Sequence, residues 1–256
     1  MNITNSIAVV TGGSSGLGEA VVTLIVENGG KAAIFDLSEE KGISLVEKFG
    51  SDNVVFLKTN VSNEADVQEA LNQTVEKFGS INVLVNCAGI GTPQRVVGRE
   101  GVHSLEDFNK TIQVNLVGTF NVIRLAAEKM FSNTPNEEGE RGVIINTASV
   151  AAFEGQIGQA AYSASKGGIV SMTLPIAREF AKQGIRVMTI APGLIETPLF
   201  DTLSKEARRS LEETIPFPSR LGYPSEYAKL VQSIVENPML NGETIRLDGA
   251  IRMQPK

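Results

Sequence analysis

Short runs of apolar and β-branched residues recur along the chain, separated by longer segments in which apolar positions follow a helical period. All but the last of these runs are too apolar for a strand with one solvated face, and they favour strands buried on both faces. The predicted strands are 6–11, 31–36, 53–58, 81–86, 142–148, 185–191 and 243–248. The predicted helices are 17–28, 39–49, 63–78, 105–130, 159–182 and 225–236.

Strands and helices alternate, which predicts an α/β fold: a doubly wound parallel sheet of about seven strands with helices on both faces. We expect one Rossmann-type domain over residues 1–256. Three stretches interrupt the alternation, at 87–103, 132–141 and 192–224. Long connections in a compact domain are usually functional, so the first and third are predicted substrate loops. The first two are polar and can also be plain solvent loops, whereas the third opens with the apolar segment PGLIETPLF and is the better candidate for a lid.

The overall charge disfavours two classes of partner. The chain has 256 residues, 42% of them hydrophobic, and a formal net charge of −6. This acidic balance argues against a general binder of nucleic acid or of a membrane surface, which would be basic. The amino-terminal segment lacks a basic stretch and no apolar run has the length of a membrane span, so we expect a cytoplasmic protein.

A single cysteine and a single histidine limit the possible chemistry. Cys87 alone cannot form an internal disulfide or a zinc cluster of thiolates. His103 leaves no second imidazole for a metal site, and a Ser-His-Asp arrangement would depend on that one loop residue. We therefore expect no metal.

A glycine-rich segment, VVTGGSSGLGEAV, runs from the first predicted strand into the first predicted helix. Gly12, Gly16 and Gly18 permit a tight turn and a close approach of the backbone to a ligand. The start of the helix directs free N–H groups and its positive dipole end to the same place, which suits a pyrophosphate. Three glycines alone are also compatible with a purely structural turn.

Asp36 ends the second predicted strand, twenty residues after Gly16. An acid at this place can accept both ribose hydroxyls of an adenosine, and it repels the 2′-phosphate of NADP. No Arg or Lys lies within residues 11–30 to receive that phosphate. The alternative is a helix N-terminal acid, but together with the glycines Asp36 predicts NAD as the cofactor.

Tyr162 and Lys166 are four residues apart in a predicted helix, which places both side chains on one face. A phenol is a poor base at neutral pH, and a nearby cation favours the phenolate and lowers the phenol's pKa. Ser149, at the end of the fifth strand, can hold a substrate oxygen while the proton moves. An exposed, unrelated pair is the alternative.

Two further features of the helices stand out. Asn115 lies within an apolar helical segment, where a purely structural role is a serious alternative. Gly167 and Gly168 each cost about 1 kcal/mol in a helix relative to Ala. With the small residues around them they form a smooth face that another backbone or subunit can approach closely.

These motifs, in this order, resemble the short-chain dehydrogenase/reductase family over nearly the whole chain. The matching residues are TGGSSGLG at 11–18, NCAG at 86–89, Asn115, Ser149, YSASK at 162–166 and PG at 192–193. The resemblance implies that Tyr162 is the acid/base and that Lys166 tunes its pKa and holds the cofactor ribose. It further implies that Ser149 donates to the substrate oxygen and that Asn115 organises a proton relay.

Longer segments, at 141–179, 184–194 and 236–255, resemble a branch of the family that oxidises 3-hydroxyacyl-CoA esters and hydroxysteroids. This likeness implies NAD-dependent oxidation of a 3-hydroxyacyl-CoA ester, a role in fatty acid metabolism and a homotetramer. The implied cofactor-binding residues are Gly12, Ser15, Gly16, Leu17, Gly18, Asp36, Asn60, Val61, Cys87, Ala88, Gly89, Tyr162, Lys166, Pro192, Ile195 and Thr197. The implied substrate contacts are Ser149, Gln159 and Tyr162.

Two residues depart from the usual family pattern. Asn60 replaces the common Asp beside the adenine, and it can still form a hydrogen bond, so we expect altered affinity at most. Cys87 replaces the second Asn of the family motif, but the branch shares it, and we expect no nucleophilic role for it.

The substrate is the least constrained part of the interpretation. Arg95 and Arg99, in the loop after the fourth strand, can bind the phosphates of coenzyme A or can simply be solvated. Alternative activities on the same fold are hydroxysteroid dehydrogenation and reduction of a 3-oxoacyl carrier protein. A non-catalytic dinucleotide sensor is an alternative of another class, although it would have no need for Ser149, Tyr162 and Lys166 together.

Overall fold

A seven-stranded parallel sheet forms the centre of the molecule, in the order β3-β2-β1-β4-β7-β8-β9. The computed structural model describes residues 1–99, 101–197 and 205–255. The strands are β1 (Ile7–Thr11), β2 (Lys31–Asp36), β3 (Val54–Lys58), β4 (Val83–Asn86), β5 (Val97–Gly98), β6 (Gly101–Val102), β7 (Gly142–Thr147), β8 (Ile185–Pro192) and β9 (Thr244–Leu247). The order reverses between β1 and β4, which opens a crevice at the carboxyl ends of the strands.

Helices cover both faces of this sheet. They are α1 (Gly16–Glu27), α2 (Glu39–Phe49), α3 (Glu64–Phe78), α4 (Leu105–Ile112), α5 (Gly118–Phe131), α6 (Ala160–Phe180), α7 (Lys205–Glu212) and α8 (Pro224–Glu236). Along β1, Ala8 and Val10 pack in the core that includes α1 and α8, whereas Val9 packs in the core that includes α3 and α5. Burial on both faces explains why the strand runs are continuously apolar rather than alternating.

The predicted fold class is confirmed, and all seven predicted strands lie within two residues of their observed bounds. The helix predicted at 105–130 is interrupted by a π-helical turn, Gln113–Val117, which divides it into α4 and α5. The stretch 87–103 contains the small antiparallel hairpin β5–β6, and 192–224 contains α7. None of the described helices is both long and apolar enough to cross a membrane.

The stretch 132–141 is more than a plain solvent loop. Glu140 is buried there and accepts hydrogen bonds from the Arg186 guanidinium and from the Met1 amine, each at 2.7 Å. Arg186 is also buried and donates to carbonyls at and beyond the end of α8, including that of Ile234. The loop therefore anchors α8 to the amino end of the sheet.

Candidate active site

The glycine segment forms a cradle between β1 and α1. Gly12 has φ of +62°, and a Cβ there would lie 2.8 Å from the backbone nitrogen of Ala88. A Cβ on Gly18 would collide with the carbonyl of Gly12. Ser15 precedes the first turn of α1 without capping it through its side chain, so the N–H groups of that turn have no side-chain cap. Close backbone packing and an uncapped helix start fit a bound pyrophosphate.

Asp36 lies beside this cradle with its carboxylate held in place by backbone. Its Oδ2 accepts from the Ser14 N–H at 3.1 Å and its Oδ1 accepts from the Ser38 N–H at 3.0 Å. The carboxylate is half-buried, at the carboxyl end of β2. A fixed carboxylate next to the glycine segment fits the hydroxyls of a ribose.

The other predicted cofactor residues also lie along the crevice, at or just beyond the carboxyl ends of the strands or at the start of α1. They are Ser15, Leu17, Asn60, Val61, Cys87, Ala88, Gly89, Pro192, Ile195 and Thr197. Thr11 accepts a hydrogen bond from the Ala88 N–H through its hydroxyl at 3.1 Å, which ties the glycine segment to the end of β4. The Asn60 side chain is exposed and accepts from the Ser62 N–H at 3.0 Å.

Ser149, Tyr162 and Lys166 meet at the carboxyl end of β7. Ser149 is the second residue after the end of that strand. Tyr162 and Lys166 lie in the first two turns of α6. The Lys166 Nζ lies 5.7 Å from the centroid of the Tyr162 ring. A Cβ on Gly91 would lie 3.5 Å from the same ring, so the segment after β4 passes close to the phenol.

The ionisation of this group differs from the sequence-based expectation. Burial raises the pKa of Tyr162, and a contact with the Ser149 hydroxyl lowers it only in part. The residue is half-buried. The Lys166 ammonium, which donates a hydrogen bond to the Thr147 carbonyl at 2.7 Å, does not reverse this effect of burial.

The pKa of Lys166 is itself lowered to about 8, because its ammonium is removed from water. Lys166 is only 4% exposed. The same exclusion of water therefore disfavours the charged form of both groups, the ammonium of Lys166 and the phenolate of Tyr162.

Asn115 occupies the π-helical turn and connects two parts of the site. Its Oδ1 accepts from the Ile90 N–H, and its Nδ2 donates to the Ile90 carbonyl, both at 2.8 Å, and to the Ser165 hydroxyl at 3.0 Å. The side chain is fully buried. The structural role weighed for Asn115 is therefore present, and its part in a proton relay stays a prediction. Wide turns of this kind are frequent at functional sites.

Gly168 has an explanation within the chain. A Cβ there would lie 2.8 Å from the Leu116 side chain, so the missing side chain lets α6 approach the π-helical turn. Gly167 has more room, since its Cβ would have its nearest contact 3.9 Å away, at the Ala152 carbonyl.

Gln159 and the β5–β6 hairpin border the mouth of the crevice. The Gln159 side chain accepts from the Gln156 N–H at 3.0 Å, and the neighbouring Gly158 carbonyl accepts from the Gln94 N–H at 2.8 Å. The second contact attaches the segment before the hairpin to the segment before α6. Arg95 lies just before β5 and Arg99 directly after it, and both residues are exposed.

Sequence reasoning missed one polar group near the site. Tyr227 lies on α8, is fully buried, and its hydroxyl lies 2.7 Å from the Thr147 hydroxyl. In the sequence it is one of the apolar positions of the helix predicted at 225–236, and nothing in that pattern distinguishes it from a core residue.

A dinucleotide cradle at the switch point of a doubly wound sheet, with a Ser-Tyr-Lys group across the crevice, defines a Rossmann-type oxidoreductase. The family model described as "short chain dehydrogenase" matches residues 6–208. The chain belongs to the short-chain dehydrogenase/reductase family, whose members use a nicotinamide dinucleotide, and it is an oxidoreductase.

Three of the similar proteins share one name. The chain is 58% identical to the 3-hydroxyacyl-CoA dehydrogenase type-2 of Rattus norvegicus over 97% of this chain and 96% of that protein. It is 53% identical to the protein of the same name from Drosophila melanogaster, over 99% and 100% of the two chains. A crystal structure of 3-hydroxyacyl-CoA dehydrogenase type-2 from Mycobacterium avium has a TM-score of 0.94 and 42% identity, over 97% of this chain and 96% of that one.

Proposed function

We propose that the protein oxidises the 3-hydroxyl of 3-hydroxyacyl-CoA esters to the 3-oxo group, with NAD as the acceptor. The convergence of Ser149, Tyr162 and Lys166 across the crevice from the Asp36 carboxylate carries this proposal. The substrate class rests on the relatives named above, which match nearly the whole chain at 53–58% identity.

In this reaction Tyr162 accepts the hydroxyl proton of the substrate, and the carbon-bound hydrogen leaves as hydride. A nicotinamide dinucleotide held by the glycine cradle, Asp36 and Lys166 would supply the hydride acceptor. Ser149 donates a hydrogen bond to the substrate oxygen, and the Lys166 ammonium favours the phenolate and holds the ribose. Asn115 keeps the segment after β4 against α6, so that the phenol and the cradle retain their spacing.

Burial raises the pKa of Tyr162, so the phenol is the prevalent form at neutral pH. A phenol donates a proton in the reductive direction, whereas oxidation needs the phenolate. We therefore expect oxidation to accelerate as the pH rises above neutrality and reduction of the 3-oxo ester to be favoured at lower pH.

The preference for NAD rests on Asp36. We expect Asp36→Ala to erode the ratio of kcat/KM for NAD to that for NADP, because it removes a carboxylate that repels the 2′-phosphate and binds the ribose hydroxyls. The backbone contacts to Ser14 and Ser38 are lost at the same time, so affinity for NAD should fall as well. Steady-state kinetics with both cofactors in both proteins measure the effect.

Glu39→Ala is the matched control for this measurement, because it removes an exposed carboxylate from the start of the neighbouring helix α2. Its cofactor ratio should stay near that of the wild type. A wild-type protein that already prefers NADP would contradict the role of Asp36.

The β5–β6 hairpin segment offers two exposed guanidinium groups at the mouth of the crevice, from Arg95 and Arg99. Coenzyme A carries three phosphates, and Arg binds phosphate in a bidentate manner. We propose that these side chains hold the coenzyme at the rim while the thioester reaches Ser149 and Tyr162. The hydrogen bond from Gln94 to Gly158 supports this, because it keeps the segment beside the start of α6.

The test compares a 3-hydroxyacyl-CoA with its pantetheine-truncated analogue in the wild type and in the Arg95→Ala/Arg99→Ala variant. The wild type should favour the full ester in kcat/KM, and the double variant should lose most of that advantage through KM. Equal kcat/KM for the two esters in the wild type would refute the role of the hairpin. Activity with hydroxysteroids alone would refute the assignment of acyl-CoA esters as substrates. Binding of NADH without turnover of any substrate would favour the alternative of a non-catalytic dinucleotide sensor.

We also propose a homotetramer. Val117, Phe120 and Phe131, in the π-helical turn and α5, are substantially exposed, at 39%, 48% and 39%. Burial of these side chains against another copy would remove apolar surface from water. Light scattering should give four times the mass of one chain, and a monomer would contradict the proposal. The cytoplasmic location stays a prediction from the sequence.

A further inference from the structure

Three polar side chains form a closed ring of hydrogen bonds below the crevice. They come from separate elements: Cys87 follows β4, Thr147 ends β7 and Tyr227 lies on α8. The hydroxyls of Thr147 and Tyr227 are 2.7 Å apart. The Thr147 hydroxyl lies 3.6 Å from the Cys87 sulfur, and that sulfur lies 3.7 Å from the Tyr227 oxygen.

Each member of this ring can donate once and accept once. The Tyr227 hydroxyl donates to Thr147, the Thr147 hydroxyl donates to Cys87, and the Cys87 thiol donates to the Tyr227 oxygen. Burial raises the pKa of the Tyr227 phenol well above its usual value and raises that of the Cys87 thiol, so both keep their protons. The ring therefore satisfies its buried polar groups without any net charge.

Packing alone does not account for the hydroxyl of Tyr227. The residue is fully buried in the core formed with α1 and α8, among side chains such as Val231 and Ile234. A phenylalanine would fill the same space without placing a polar atom there, and a buried hydroxyl is costly unless it is bonded. The hydroxyl reaches out of this core to Thr147, at the edge of the crevice.

Thr147 connects the ring to Lys166. Its carbonyl accepts the hydrogen bond from the Lys166 Nζ at 2.7 Å, while its hydroxyl belongs to the ring. Among the described residues, the titratable side chains that face Lys166 are Cys87, from the end of β4, and Tyr162, from α6 itself. The Thr147 carbonyl is thus the contact that compensates this ammonium for the loss of water.

We infer that Tyr227 is a positioning residue for Lys166, which acts by fixing Thr147 at the end of β7. The inference rests on the catalytic role proposed for Lys166. Without the phenolic hydroxyl, the Thr147 hydroxyl is held by Cys87 alone, and the Thr147 carbonyl at the end of β7 can move away from the ammonium. A weaker contact to the charged form of Lys166 favours the neutral amine.

The experiment follows Lys166 directly, by NMR titration of protein labelled with ¹³C-lysine. In the wild type one resonance should titrate near pH 8, well below the ordinary value of a lysine side chain, and its absence in Lys166→Met assigns it. In Tyr227→Phe we expect this titration to move to lower pH by roughly half a unit, as for a weakened hydrogen bond to a charged group. We also expect kcat to fall by up to about threefold above pH 8, because a shift of half a unit changes the charged fraction of Lys166 by that factor at most.

Tyr223→Phe is the matched control, because Tyr223 is a half-exposed tyrosine at the start of the same helix and takes no part in the ring. It should change neither the titration nor kcat. Thr147→Val removes the same ring through another member and keeps the main-chain carbonyl, so it should reproduce the effect of Tyr227→Phe even if that variant folds poorly.

An unchanged Lys166 titration in folded Tyr227→Phe or Thr147→Val would overturn the inference, even if thermal stability fell. The three hydrogen-bonded side chains would then contribute to packing and stability but would not position Lys166. Failure of the proposed function is a separate result: the wild type would then form no NADH from a 3-hydroxyacyl-CoA. The Lys166 titration needs no substrate and still decides the role of Tyr227 in that case.

Discussion

Tyr162→Phe is expected to lower kcat by about 10²- to 10⁴-fold, the range typical for loss of a general acid–base group. The substitution removes the phenol oxygen and keeps the ring that packs beside Gly91. The cradle around Gly12 and the Asp36 carboxylate are untouched, so affinity for NAD should stay nearly that of the wild type. Single-turnover kinetics and titration of NADH fluorescence separate the two effects.

Tyr223→Phe serves again as the control, since it deletes a hydroxyl that lies outside the site, on a half-exposed ring. It should retain wild-type turnover. If Tyr162→Phe kept most of the wild-type rate, another group would have to move the proton.

Lys166→Met is expected to damage catalysis and cofactor binding together. The methionine keeps an apolar stem in a dry position but removes the ammonium that is 5.7 Å from the Tyr162 ring. Loss of the cation disfavours the phenolate, and loss of the proposed ribose contact weakens binding. We expect kcat to fall by about 10²-fold or more and the Kd for NAD to rise, which steady-state kinetics and fluorescence titration measure.

Lys129→Met provides the matched comparison, because this lysine lies in the last turn of α5 rather than at the crevice. Its kinetics should equal those of the wild type. An unchanged Kd for NAD in Lys166→Met would contradict the ribose contact, and an unchanged kcat would contradict the role in tuning Tyr162.

The sheet and the outline of the site are predictable from sequence because their signals are local. A continuous apolar run such as 142–148 can only be a strand buried on both faces or a buried helix segment, and the turn residues on either side decide between them. The glycines at 12, 16 and 18 indicate a cradle for the same reason: a Cβ on Gly12 or Gly18 would collide with neighbouring backbone, and Gly16 has a φ of +54°.

Features that depend on the approach of distant segments escaped the sequence analysis. The π-helical turn around Asn115 depends on contacts with Ile90 and Ser165, which no local pattern encodes. Tyr227 shows the same limitation, because its partner Thr147 lies eighty residues earlier in the chain. Spacing alone places Lys166 near the Tyr162 ring, whereas only the tertiary structure shows that burial raises the pKa of Tyr162 and that the Thr147 carbonyl receives the Lys166 ammonium.

The burial of Lys166 also makes the folded state sensitive to proton concentration. Its pKa is about 8 in the native protein and about 10.4 in an unfolded chain, so between these values the unfolded chain binds more protons. The free energy of unfolding therefore rises with pH across that window. Below it, the desolvated ammonium lowers native stability by a constant amount on the order of 3 kcal/mol. The buried ammonium of Lys166 therefore lowers the free energy of unfolding most at neutral and lower pH, and at neutral pH the proposed chemistry needs that charge.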